Sequence, residues 1–233
     1  VNIDHIATLR NARGEKHPNP VFAAKKVIKL GADSVTIHLR EDRRHINDLD
    51  TKEICALNKV LVNLEVSMNS EIIKKALRYK PNYICIVPEN RKEITTEGGL
   101  NLNKSNKKLR YLINKLNSKK IRTSLFINPK ISDVRKSKLL GSKCIELHTG
   151  KISNKIKKKQ NYIKEFKILK KCSVEGFKLG LEVHAGHGMD YKVAKILSRI
   201  EEIKEFNIGH FIIGESIFFG LKKVINKFVK IIK

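Results

Sequence analysis

A sequence of 233 residues is long enough for one α/β domain with a sizeable core. Its 49 Lys and Arg outnumber 23 Asp and Glu, a formal charge of +26, but the lysines are scattered among Ile and Asn in runs such as KKVIK and NKIKKKQNYIK, and Trp is absent; shared A/T-rich codons account for this better than a nucleic-acid surface does. No apolar run reaches the roughly 18 residues of a membrane span, so neither a nucleic-acid nor a membrane partner is expected.

Eight short runs rich in Val, Ile and Leu read as strands. VNID (1–4) opens the chain, and the helical pattern PVFAAKKVIKLGA follows with Pro20 at its start. SVTIHL (34–39) and VLVNLEV (60–66) come next, then SEIIKKALRYK, a helix with Ser70 as its cap. YICIVP (83–88), RTSLFIN (122–128), CIELHT (144–149), KLGLEVHA (178–185) and FNIGH (206–210) complete the strands. Helical patterns separate them, among them NKKLRYLINKL, ISDVRKSKLLG, YIKEFKILKKC and DYKVAKILSRI, and IFFGLKKVINKFVKIIK closes the chain. The runs are apolar throughout, which suits parallel strands buried on both faces. Eight strands alternating with helices predict an α/β fold, a (β/α)8 TIM barrel, with a doubly wound open sheet as the alternative. No linker divides residues 1–233, so one domain is expected.

Cys55, Cys85, Cys144 and Cys172 form no C-x-x-C pair and lie in apolar or helical contexts. That pattern predicts reduced, packed thiols in a cytoplasmic protein rather than a zinc site or a disulfide frame. No signal-peptide pattern is present, and a first residue of Val1 rather than Met leads us to expect a few residues ahead of it.

In a barrel of this kind, reacting groups sit at the C-terminal ends of strands and in the loops beyond. Those ends here carry Asn2, Asp4 and His5; His38, Arg40 and His45; Asn63 and Glu65; Glu89; Glu146 and His148; AGHG (185–188); and Asn207, Gly209 and His210. Seven of the eight histidines fall at or just beyond strand ends, with His17 in the first loop. AGHG and IGH follow the last two strands, where glycines let backbone N–H groups approach a phosphate. Arg40 and His45 offer a second anion site, with Arg10 and Arg13 adding cations on the first loop. Glu41, Asp42, Arg43 and Arg44 are read as solvated surface or subunit contacts. Glu65 lies within the buried-strand pattern VLVNLEV, so it needs a partner or a raised pKa, and either suits a general acid or base. TTEGGL (95–100) reads as a lid, with paired glycines for freedom and threonines to meet a phosphate.

Taken in order, VNIDHIATLRNARG, HLREDRRHI, NLE, VPE with TTEGGL, IELHTG, AGHG and NIGH resemble the pyridoxine 5′-phosphate synthase family of vitamin B6 biosynthesis, from Val1 to the last helix. The resemblance implies a (β/α)8 barrel with extra helices that assemble subunits, commonly into a homo-octamer. It implies condensation of 1-deoxy-D-xylulose 5-phosphate with 3-amino-2-oxopropyl phosphate, two small phosphorylated substrates, with no metal and no organic cofactor. By the same resemblance His38 and Glu65 are proton acceptors and His187 a proton donor. Asp4, His5, Arg40, His45 and Thr95 bind the deoxyxylulose phosphate, and Asn2, Arg13, Gly188, Gly209 and His210 bind the amino-ketone phosphate. Three positions depart from the family's usual pattern: His184 before AGHG, Asn90-Arg91 after VPE, and Lys151-Ile152 after HTG. The rival enzyme reading is a metal-dependent sugar-phosphate aldolase or epimerase. It lacks H-x-H or H-E-x-x-H spacing and must place a metal among cationic side chains.

Overall fold

The computed structural model describes residues 1–89, 98–103 and 106–233. Strands and helices alternate along it: α1 (Asp4–Arg13), α2 (Pro20–Lys29), β1 (Val35–His38), α3 (Asp48–Cys55), β2 (Val62–Val66), α4 (Ser70–Tyr79) and β3 (Tyr83–Ile86) come first. Then follow α5 (Asn106–Ser118), β4 (Arg122–Ile127), α6 (Ile131–Leu139), β5 (Cys144–His148), α7 (Gly150–Lys157), α8 (Ile163–Lys178), β6 (Glu182–Gly186), α9 (Tyr191–Leu197), β7 (Ile203–Asn207), α10 (His210–Phe219) and α11 (Leu221–Ile232). Two compact units emerge, one of Val1–Ile84 with Ile208–Lys233, the other of Cys85–Asn207.

In the first unit β1 and β2 pair in parallel, from Val35 opposite Val62 to His38 opposite Glu65. The expected first strand shrinks to a bridge: Asn2 pairs with Thr36, and its amide donates to the Ile208 carbonyl at 2.9 Å. Seven strands are therefore described, with Asn2 where the eighth was expected. The chain turns helical at Asp4 because the Asn2 Oδ1 accepts the Asp4 N–H at 2.9 Å and an acidic residue suits a helix start. TLRNAR, expected as loop, is thus the body of α1, which ends at Gly14 with φ +68°.

Local capping chemistry sets other helix starts. Asn19 accepts from Val21 and Phe22 ahead of Pro20, and Asn47 with Asp50 forms a reciprocal capping box on α3. On α4 the cap is Asn69, which accepts from Glu71 and Ile72, and Ser70 is the first helical residue instead. The terminal pattern, read as one helix, breaks at Gly220 with φ +77°, a left-handed turn that glycine adopts without a Cβ penalty. α11 then folds back and buries Val224, Ile225 and Phe228, with Phe228 edge-on to Phe211 at 6.0 Å.

In the second unit β4 to β7 are joined by parallel pairings, with a register shift between Val183 and His184. One face of this sheet meets α8, where a Cβ on Gly176 would come within 2.8 Å of Val183 and 3.1 Å of Ile145. Val183 and Ile145 alternate with residues on the other face, and that second face is polar. It carries Glu146 and His148 on β5, His184 and Gly186 on β6, and Glu205 and Asn207 on β7. The apolar face supplies the cohesion, about 1.5–3 kcal/mol for each buried aliphatic side chain. The polar face is left for chemistry.

Candidate active site

The first unit gathers a cluster at the ends of β1 and β2. Register sets His38 beside Glu65, with His38 Nδ1 3.6 Å from Glu65 Oε2. Asp4 orders the surroundings: its Oδ1 accepts the His38 backbone N–H at 2.8 Å, and its Oδ2 accepts from Asn2 Nδ2 at 2.9 Å. His45 stands 3.9 Å from Asp4 Oδ1, and its Nδ1 accepts the Ile46 N–H at 2.9 Å. A nitrogen that accepts cannot carry a proton, so His45 is neutral and offers Nε2–H as a donor. Burial lowers its pKa, which agrees; Asp4 opposes the shift, while His38, Arg40 and His5 add to it.

The loop that bears Arg40 and His45 is tied down by α1. Arg10 forks onto Asp50 at 2.6 and 2.8 Å and also donates to the His45 carbonyl, which Asn11 meets at 2.9 Å. Arg10, expected to add charge for an anion, is instead buried in this structural pair. Of the charges read as solvated surface, Asp42 and Arg44 are exposed and pair with each other, whereas the half-buried Arg43 and Glu41 tie to Asp48 and Ser67. Burial works against the Asp42 anion, but hydrogen bonds from Arg44 and Arg40 hold its carboxyl well below the usual range. Arg40 itself is buried, with Nε 3.3 Å from Asp42. Arg13 is 78% exposed at the end of α1 and pairs with Glu15 at 3.5 Å.

Gly209 precedes α10, whose start has no side-chain cap, which leaves its first backbone N–H groups without a side-chain acceptor, the chemistry that suits an anion. A Cβ on Gly209 would fall 2.8 Å from the Asn2 Cβ, so the close approach of these two requires glycine. His210 lies edge-on to His5 at 5.0 Å. Burial and then His210 lower the His5 pKa, against the pull of Asp4.

The second unit carries its own cluster. His187 adopts φ +83°, a left-handed conformation rare for a residue with a side chain, followed by Gly188 at +77°. Thr149 grips this turn by donating its hydroxyl to the Gly186 and His187 carbonyls at 2.8 and 2.6 Å. His148 lies 4.9 Å from the His187 ring, and burial together with His187 pushes its pKa down to about 4. Glu146, absent from the sequence-derived site, is fully enclosed in this unit and accepts from Asn207 Nδ2 at 2.6 Å. Burial raises its pKa to about 7, and His184, Asn207 and Cys85 hold it from rising further. The signal was present, a lone carboxylate within the apolar run CIELHT, the same signal that singled out Glu65.

Thr95 lies outside the described residues, as does the first half of the expected lid, residues 95–97. Of its glycines, Gly99 is anchored: its N–H meets Asn128 Oδ1 at 3.1 Å, and a Cβ there would strike the Asn128 backbone N at 2.2 Å. Close packing, not freedom, explains that glycine. Cys55, Cys85, Cys144 and Cys172 are in no disulfide, and burial pushes Cys55 to about 12 and Cys172 to about 11. Asp4, His38 and His45 offer three ligand atoms within 4.8 Å of one another. Two of these groups already have hydrogen-bond partners: the Asp4 carboxylate accepts from the His38 backbone N–H and from Asn2, and His45 Nδ1 accepts from Ile46.

The family model of the pyridoxal phosphate biosynthesis protein PdxJ matches residues 1–233. The chain is 62% identical to the pyridoxine 5′-phosphate synthase of Pelagibacter ubique (strain HTCC1062) over 231 residues, 99% of this chain and 97% of that protein. It is 42% identical to the pyridoxine 5′-phosphate synthase of Blochmanniella floridana over 233 residues, 100% of this chain and 94% of that one. Among solved structures, a 4-hydroxy-2-oxoglutarate aldolase from TTHB1 aligns with a TM-score of 0.63 at 10% identity, covering 92% of this chain and 88% of that one. The phosphoribosylanthranilate isomerase of Thermotoga maritima aligns with a TM-score of 0.61 at 13% identity, covering 91% and 93%. These structural likenesses carry the fold alone, an α/β fold of the TIM-barrel type.

Proposed function

The chain belongs to the family of the pyridoxal phosphate biosynthesis protein PdxJ, and on that premise we propose that it is a pyridoxine 5′-phosphate synthase condensing 1-deoxy-D-xylulose 5-phosphate with 3-amino-2-oxopropyl phosphate. The observation that carries the reading is the His38–Glu65 pair, 3.6 Å apart at adjacent strand ends, in a chain that matches the family from end to end. We read residues 1–233 as one domain, a reading supported by that full-length match.

The amine of one substrate attacks the ketone of the other and forms an imine with loss of water. Protons then leave carbon, phosphate is eliminated, and water is added and lost before the ring becomes aromatic. Each step moves a proton near neutral pH, the task of His and Glu. In this reading His38 and Glu65 accept protons and His187 donates one. Asp4, His5, Arg40, His45 and Thr95 hold the deoxyxylulose phosphate. The neutral His45, with a free Nε2–H, and the buried Arg40 suit that task. Asn2, Arg13, Gly188, Gly209 and His210 hold the amino-ketone phosphate, and the uncapped start of α10 supports this. Gly209→Ala is expected to push Asn2 aside and raise KM for the amino-ketone substrate roughly tenfold, a loss of about 1.4 kcal/mol; steady-state kinetics with the other substrate saturating would read it.

The protein assembles with copies of itself in this reading, as a homo-octamer. The exposed run Ile217, Phe218 and Phe219 on α10 supports subunit contact. A cytoplasmic location is supported by four cysteines outside any disulfide. No helix among the described residues is long and apolar enough to cross a membrane.

The reading is tested by mixing the purified protein with both phosphates in the presence of EDTA. Stoichiometric pyridoxine 5′-phosphate and inorganic phosphate are expected. No product from folded protein, or product only on addition of a divalent metal, would overturn it.

A further inference from the structure

We propose that His184 is a positioning residue for this reaction: held as an imidazolium by Glu182 and Glu205, it keeps the buried Glu146 ionised and turned toward Asn207. The inference rests on the functional reading above.

The sheet register creates the arrangement. Glu146 on β5 pairs with His184 on β6, and the shift at Val183/His184 brings Glu205 on β7 opposite His184. The three therefore share one row of the polar face, with adjacent strands about 4.8 Å apart. His184 is almost fully buried, so its ring lies away from bulk solvent. Its Nε2 lies 2.8 Å from Glu182 Oε1, and its Nδ1 lies 3.8 Å from Glu205 Oε1. A neutral imidazole has one N–H and could answer only one of these carboxylates, whereas an imidazolium answers both. Among the described residues Glu205 Oε1 is buried with no hydrogen-bond donor, so its charge is compensated by the nearby ring and by the Arg122 guanidinium. Arg122 pairs with Glu182 from β4 and fixes the far end of the row.

Glu146 is confined on the other side. A Cβ on Gly186 would sit 1.9 Å from its Oε1, so the carboxylate fills the space that glycine leaves. Its Oε2 accepts from Asn207 Nδ2 at 2.6 Å, with the Cys85 thiol 3.9 Å away. Those partners are donors, which suits an anion. The charged and titratable groups around Glu146 and His184 in this unit are Cys85, Arg122, Cys144, His148, Glu182 and Glu205. Burial and Glu205 favour a neutral Glu146, and His184 opposes them. Burial disfavours the His184 charge too, but Cys144, the bond to Glu182 and nearby Glu205 push its pKa up to about 10. Remove the ring charge, and Glu146 takes a proton at higher pH.

The test compares wild-type protein with His184→Asn. Profiles of kcat and KM for pyridoxine 5′-phosphate formation would run from about pH 5.5 to about pH 9.5. The acid limb of kcat in the variant is expected to move up by about one to three pH units. At pH near 7 that is a loss of about fivefold or more, recovered in alkaline buffer, with KM little changed. In the wild-type protein, 15N NMR of the imidazole should show both His184 nitrogens protonated at pH about 8. That spectrum decides the matter even if the variant fails to fold. A pH-independent loss in the variant, or a neutral His184 ring in wild type, would overturn the inference while leaving the synthase reading intact. Absence of product from folded wild-type protein would instead overturn that reading, and with it the role given to His184.

Discussion

Glu65→Gln is expected to lower turnover by about 10²–10⁴-fold, the usual contribution of a positioned general base. Gln keeps the shape of the side chain and its hydrogen-bonding reach, yet it cannot take a proton from carbon. The position is exact in structural terms: Glu65 is held by its register opposite His38 and stands 3.6 Å from that ring. Its side chain is 17% exposed on an otherwise buried strand, so it can meet a substrate without being lost to solvent. Substrate affinity should change little, because the anion sites assigned above do not include Glu65. The melting temperature should hold, because Gln fills the same volume in the same strand. Rapid-quench kinetics with both substrates would separate the loss of chemistry from product release. A variant within threefold of wild-type turnover would remove Glu65 from the mechanism.

Arg10→Met is expected to destabilise the protein by about 3–5 kcal/mol, the cost of leaving a buried carboxylate without its partner. Asp50 is buried, and the Arg10 fork meets both of its oxygens. The capping-box bond from the Asn47 N–H to Asp50 remains, but a neutral amide does not replace a guanidinium. For a chain of this size the melting temperature should fall by roughly 6–20 °C. The effect should reach function, since Arg10 also donates to the His45 carbonyl at 3.3 Å. KM for the deoxyxylulose phosphate should therefore rise in the folded fraction at low temperature. Calorimetry and steady-state kinetics on the same preparation would read both. An unchanged melting temperature would show that water replaces the guanidinium.

Much of this was legible beforehand, and the reason is locality. Apolar runs marked most strands because a parallel strand is largely buried, but VNID shrank to a bridge at Asn2, and FNIGH fell three residues late: β7 is Ile203–Asn207, partly exposed, and His210 already opens α10. Pro20 marked a helix start because its chemistry acts within one turn. Where two neighbours could both cap, as at Asn69 and Ser70, sequence pointed to the wrong one. His38 and Glu65 were picked as polar residues at strand ends, and the pairing of β1 with β2 set them side by side.

What the sequence determined by itself was the alternation of strand and helix, the list of polar residues at strand ends, and the family. These follow from patterns a few residues long, repeated in order. Tertiary structure decided which of those residues meet. Arg10 looked like an anion ligand until Asp50, 40 residues away, claimed it. Glu146 looked like one strand-end residue among many until burial enclosed it, and His184 looked like a single departure from a motif. A one-residue shift between β6 and β7 put that histidine opposite Glu205, in the row of Glu146. Register is a property of two strands together, so no single segment could have announced it.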